Sequence, residues 1–271
     1  MSWSVIAKKD LMDSVRSKRL WILVVVFLLI FGGMAYALTF APEDILEKFG
    51  GLNGNALIQL YTGLGGGFIT AFICIIGLYV GHKSVVKERT THSMRILMGL
   101  PHSRGDLVFG KAVGRGALMA LSVTLGVLVA VGVMAVFYQS LNIVNFLIFY
   151  LVTLLLGLIY VSLGVGLSSS IKTEGRVTGA VIGVFFIFQF IWSPVMNGFL
   201  YLTGGGIDAV TDKPSWFPYI SQLNPSQAFA KVGGSIVNGT DPVSTYALGV
   251  MAVWLIGPLV IGYLLIGRSD I

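Results

Sequence analysis

Five long runs contain no Asp, Glu, Lys or Arg: residues 20–42, 49–81, 116–171, 177–207 and 242–267. The short segments between and around them hold all of the chain's charge. A bilayer's hydrocarbon core is about 30 Å thick and is crossed by roughly 20 apolar residues of helix. Each run is long enough for one crossing, and the third, at 56 residues, for two. Its break falls where Gln139, Ser140, Asn142 and Asn145 cluster. The pattern predicts an all-α integral membrane protein forming a single transmembrane domain over residues 1–271. Its six transmembrane helices fall at about 20–41, 56–81, 114–138, 145–170, 177–203 and 243–267.

Composition agrees: 55% of residues are hydrophobic and 11% charged, against about 25% charged in soluble domains. Charge then sets orientation, because Lys and Arg collect in short cytoplasmic loops. With the N-terminus inside, fifteen of the eighteen basic residues lie on the inner face, leaving Lys48, Lys213 and Lys231 outside. Both termini are therefore expected in the cytoplasm. The net charge of +6 reflects this bias, and basic residues that flank membrane helices do not read as a nucleic-acid surface. Ala35-Tyr36-Ala37 after a basic start resembles a signal-peptide cleavage site. The long patterned start and a charge-free run extending past Ala37 favour an uncleaved first helix.

Several chemistries are disfavoured. Intramembrane ionisable groups mark proton relays and ion pathways, and the charge-free runs have none. His82, His92 and His102 are spaced by ten and fit no standard metal-ligand pattern. Ser168, Ser169 and Ser170 near Lys172 offer a formal Ser-Lys pair, but a serine-rich helix end before a basic loop is ordinary punctuation. Residues 105–112 follow the Gly-x4-Gly-Lys frame of a phosphate-binding loop, yet Ala112 stands where a magnesium-binding hydroxyl is required, and no strand precedes it. No catalytic, metal or cofactor-binding residue is expected, and the chain is not read as an enzyme by itself. The dispersed methionines read as packing.

The inner segment 82–115 is too long for a simple turn and too charged to insert. It nonetheless carries apolar clusters at Val85-Val86, at Met94 with Ile96-Leu97-Met98, and at Leu107-Val108-Phe109. Such runs suit short helices that lie on the membrane face or dock into a partner's groove. The other reading is a cytoplasmic extension of the two flanking helices.

The run Glu88-Arg89-Thr90-Thr91-His92-Ser93-Met94-Arg95-Ile96-Leu97-Met98-Gly99-Leu100-Pro101-His102-Ser103-Arg104, followed by Gly110-Lys111, resembles a pattern of the ABC type-2 transporter permeases. That pattern is an acidic residue, a Leu-rich turn, Pro-x-Ser-Arg and Gly-Lys. The likeness is greatest to the subgroup that includes the permease of the nitrous-oxide reductase maturation system. Ala7-Lys8-Lys9-Asp10-Leu11 with Arg16-Ser17-Lys18-Arg19, and Leu223-Asn224-Pro225 with Ala228-Phe229, are similar to the family's opening and to the segment before its last helix. Thr91-His92-Ser93-Met94 departs from the family's Gly-Thr-Leu-like turn.

The resemblance implies a permease subunit, expected as an exporter in the plasma membrane of a prokaryote and working as a pair of identical copies. It implies that ATP and Mg are held by a separate ATPase subunit, and it leaves room for an extracytoplasmic substrate-handling protein. An N-terminal interfacial elbow helix over residues 3–19 and a cytoplasmic coupling helix between helices 2 and 3 would dock that ATPase. Interfacial or re-entrant helices are implied between helices 5 and 6. Trp3, Ala7, Leu11 and Val15 form an i, i+4 stripe on the elbow, interrupted by Lys8, so a plain basic flank is its other reading. The coupling element would be residues 91–100, ended by Pro101, with Arg104 just beyond. Met94, Ile96, Leu97 and Met98 would enter the partner's groove, and Glu88 and Arg95 would supply rim ion pairs. The alternative is a membrane scaffold or assembly factor that binds a soluble partner through the same segment without transport. The substrate is not readable from these residues.

Overall fold

The computed structural model describes residues 3–48, 51–62, 66–90, 104–138, 140–204, 206–238 and 245–267. Among these residues there is no β-strand, only one isolated bridge between Asn53 and Ser140. Six helical stretches are long and apolar enough to cross a membrane: Leu20–Leu38, Gly67–Arg89, Gly105–Phe137, Ile143–Ser170, Glu174–Thr203 and Thr245–Ile266. They are called the first to sixth spans below.

The polar cluster expected to separate the third and fourth spans does so as a helix cap. The Asn142 side chain accepts a hydrogen bond from the Asn145 amide at 3.1 Å, satisfying a donor that the start of a helix leaves without an intrahelical partner. The fourth span lies in the middle of the bundle, packed on the second, third and sixth spans. Backbones approach closely against both the sixth span, where Gly166 faces the Pro258 carbonyl, and the second. A Cβ at Gly81 would lie 2.6 Å from the Val161 carbonyl oxygen, and one at Gly164 would lie 2.7 Å from that of Leu78. Only glycine permits such contact, and in lipid close backbone approach is a main source of helix attraction.

Two spans depart from uniform α-helix. The first contains a π turn at Leu28–Gly33 and the fifth another at Ile187–Ile191. A π turn leaves a carbonyl open to a side-chain donor. Tyr61 donates to the Phe31 carbonyl at 2.6 Å, and the Asn224 amide donates to the Phe188 carbonyl at 2.7 Å. The second π turn ends three residues before Pro194, which has no amide to offer the Phe190 carbonyl four residues back.

The element bounds differ from the sequence expectation in two places. Helix is described at Gly54–Thr62 and again at Gly66–Gly81, where one helix over 56–81 was expected. The third span's helix runs Arg104–Phe137, starting ten residues before the expected 114. Its charged start is soluble beyond the membrane, so nothing forces the helix to end at the hydrocarbon boundary. This part of the inner segment is therefore a helix extension, while Val86–Thr90 forms a short separate helix. Between the fifth and sixth spans lie helices at Ile207–Thr211, Phe217–Ser221 and Pro225–Asn238. The last packs against the fourth and sixth spans, with Ala228, Phe229 and Val232 fully buried.

Candidate functional site

The N-terminal helix Trp3–Val15 lies across the extended start of the third span. Its inner face is Ile6, Ala7, Asp10 and Ser14. The Trp3 amide donates to Asp106 Oδ1 at 3.2 Å, and the Trp3 ring meets Phe109 edge-on with centroids 5.1 Å apart. Of the predicted stripe, Ala7 is buried and Leu11 half-buried, while Trp3 and Val15 stay exposed at 41% and 39%. The helix thus turns one face to the bundle and leaves an apolar edge outside.

Asp10 anchors a buried ionic cluster. Lys111 Nζ lies 2.9 Å from Asp10 Oδ1 and 2.6 Å from Glu88 Oε1. Arg115 Nη2 donates to Asp10 Oδ1 at 3.2 Å. Arg115 Nε sits 2.8 Å from Asp10 Oδ2 in ionic contact, off the axis of a hydrogen bond. The Asp10 side chain is 5% exposed and that of Lys111 11%. Two cations and two carboxylates balance one another, which is the condition for holding charge where water is scarce. Removing one member strands the rest, at a cost of about 3–5 kcal/mol for a fully buried pair.

The cluster joins three segments: the N-terminal helix, the short helix Val86–Thr90 and the start of the third span. A second fastening ties the short helix to the fourth span. The Val85 and Val86 amides both donate to Ser168 Oγ at 3.0 Å, and Arg89 Nη2 donates to the Ser169 carbonyl at 2.9 Å. Ser168 is therefore the side-chain cap of that helix, its oxygen engaged by two amides. This is the opposite of a hydroxyl poised beside a base. Residues 105–112 belong to one continuous helix that starts at Arg104, so beyond its first turn their amides are used in intrahelical bonds and form no phosphate-cradling loop. Lys111 is held by Asp10 and Glu88.

Met94, Arg95, Ile96, Leu97, Met98 and Pro101 lie outside the described residues, as does the side chain of Arg104. Glu88, expected at a docking rim, is joined to Lys111 within the chain. What the structure adds is Asp10, Lys111, Arg115 and Ser168, which fasten the described helices on either side of residues 91–103. Apart from the Lys111–Glu88 pair, their partners are some 80 to 105 residues away in sequence, so no local spacing announces the pairings. Asp10 and Lys111 stand in the motifs quoted above and Ser168 in a run of three serines, but nothing in the sequence marks them as joined.

A different polar cluster occupies the apolar part of the bundle. Ser226 Oγ lies 2.6 Å from Tyr160 Oη and accepts from Gln189 Nε2 at 2.9 Å. Asn224 bonds the Phe188 carbonyl through its amide nitrogen and accepts the Ser226 amide at 2.8 Å. The network holds the helix Pro225–Asn238 to the fourth span and to the π turn of the fifth.

Comparison with known proteins gives the family. The profile of the ABC-2 family transporter protein matches residues 4–271. A Pseudomonas aeruginosa protein named as a probable ABC transporter permease protein NosY is 26% identical over 285 residues, covering 99% of this chain and 98% of that one. A protein of the same name from Stutzerimonas stutzeri is 25% identical over 255 residues, covering 93% and 86%. Both names agree with the subgroup that the motifs resemble. A profile match over essentially the whole length, on a bundle of six membrane-spanning helices, establishes that this chain belongs to the ABC-2 family of transporter proteins.

Proposed function

We infer that this chain is the membrane-spanning permease subunit of an ABC type-2 exporter in a prokaryotic plasma membrane. It is driven by ATP hydrolysed on a separate nucleotide-binding subunit. The observation that carries this reading is the double clamp on the two helices that flank residues 91–103. A stroke delivered there meets a rigid frame: Glu88, Lys111 and Asp10 bind the short helix, the third span and the N-terminal helix together. Ser168 binds the same short helix to the fourth span. Helices fastened in this way move as a body, which converts a local push into a change of the whole bundle.

In this reading Met94, Ile96, Leu97 and Met98 seat in the ATPase's groove, with Arg95, Pro101 and Arg104 at its edge. The exposed edge of the N-terminal helix, with Trp3 and Val15, rests on the inner membrane surface. A second copy packs against the fifth span, only 11% of which is buried within the chain. Gly175, Gly179 and Gly183 lie one turn apart there, with nothing within 4 Å of an added Cβ, a face on which another helix can approach closely.

Reconstitution tests the reading. The purified chain alone hydrolyses no ATP, and with its ATPase it supports vanadate-sensitive turnover. Turnover by the chain alone overturns the division of labour, and a stable complex that never turns over returns the scaffold reading. Cys74 is the chain's one cysteine and is buried, so a Leu97→Cys variant reports topology cleanly. An impermeant maleimide labels it only from the cytoplasmic side.

A further inference from the structure

A polar cavity of about 330 Å³ opens at the end of the bundle that carries the ionic cluster. Lys83, Lys87 and Arg115 reach it from the end of the second span and from the third, and Glu174 reaches it from the start of the fifth. Two carboxylates face these three cations, Glu174 at 3.4 Å from Lys83 and Asp10 in contact with Arg115, so the balance of the lining is positive by one charge. The lining also includes the buried apolar side chains of Leu23, Val80 and Leu118.

Three features decide which anion such a cavity takes. Its depth is that of the polar boundary, because Arg115 directly precedes one charge-free run and Lys83 follows another by two residues. Its lining includes Tyr79, which is 54% exposed on the second span, and an amphipathic ring at this level is typical of headgroup depth. One turn deeper on the same face, Ile75 is also exposed, at 46%, continuing an apolar track toward the membrane centre. A soluble phosphate needs only the cationic half of this arrangement. A phospholipid uses both halves, with its headgroup against the cations and an acyl chain along Ile75 and Tyr79.

We propose that this cavity is a binding site for the phosphate headgroup of an anionic membrane phospholipid, seated by Lys83, Lys87 and Arg115. Basic pockets between membrane helices on the cytoplasmic side are suited to such headgroups. Assignment to the inner leaflet rests on the topology inferred above, but binding itself does not depend on the ATPase. The lipid would bridge the second, third and fifth spans beside the ionic cluster, making the clamp sensitive to membrane composition.

The test is lipid retention by the full chain purified in mild detergent, followed by native mass spectrometry with phosphatidylglycerol, phosphatidylcholine or inorganic phosphate added. Phosphatidylglycerol is retained about tenfold better than phosphatidylcholine, and Lys83→Gln with Lys87→Gln reduces it to the phosphatidylcholine level without changing the melting temperature. The single Lys87→Gln gives an intermediate loss. The exposed pair Lys8 and Lys9 serves as the control, and Lys8→Gln with Lys9→Gln leaves retention unchanged. Equal loss in the control variant, or undiminished retention in the pocket variant, overturns the site. Inorganic phosphate that binds as well as the lipid, or displaces it at millimolar concentration, overturns the lipid as its source.

Discussion

The two polar clusters of this bundle use opposite chemistry. At the end bearing the inner segment, Asp10, Glu88, Lys111 and Arg115 hold helices together with full charges. Within the apolar zone, Tyr160, Gln189, Asn224 and Ser226 do so with neutral hydrogen bonds. Near the membrane surface a balanced set of ions is tolerable, and each ion depends on the others. In the hydrocarbon zone a lone charge is costly, so amides and hydroxyls take over, and several donors share the load. The charged cluster should therefore be brittle to single substitutions and the neutral one forgiving.

Graded substitutions break or sharpen this contrast. Asp10→Ala strands Arg115 and leaves Lys111 with Glu88 alone, and is expected to lower stability in detergent by about 3 kcal/mol, read from denaturant unfolding. Asn224→Ala loses both the Phe188 carbonyl bond and the Ser226 amide bond, for an expected loss of about 1–2 kcal/mol. Tyr160→Phe removes one hydroxyl whose partner Ser226 keeps its bond to Gln189, and about 0.6 kcal/mol is expected. Should Tyr160→Phe cost as much as Asp10→Ala, the distinction between brittle and forgiving clusters fails. Gly179→Ile, on an exposed face, is expected to leave unfolding of the single chain unchanged and to lower the dimer fraction in cross-linking.

Much of the architecture was legible because bilayer thickness imposes itself on sequence: an uninterrupted apolar run has few other folds open to it. The start of the third span was less so. Its helix continues through Asp106, Lys111 and Arg115, and charge signals the membrane boundary without ending a helix. The π turns at Leu28–Gly33 and Ile187–Ile191 left no compositional trace, since they change hydrogen-bond register rather than polarity. In the candidate site, Glu88 was picked out by motif but read as a rim charge, because its pairing with Lys111 depends on how the two helices pack. Ser168 was visible as one of three serines, and only the fold supplies the two amides that occupy it. Asp10 stood in the opening motif, while its burial followed from the helix Trp3–Val15 lying across the third span.

The central claim is that the driving stroke enters from another molecule through the apolar residues of the segment 91–101. Leu97→Asp places a charge in the proposed docking groove, where burial is costly. Vanadate-sensitive turnover of the reconstituted complex is the direct readout, measured beside co-purification of the ATPase. The account predicts association weakened by about tenfold or more, with turnover falling in step while the permease itself remains folded. Undiminished association and turnover in Leu97→Asp would contradict it.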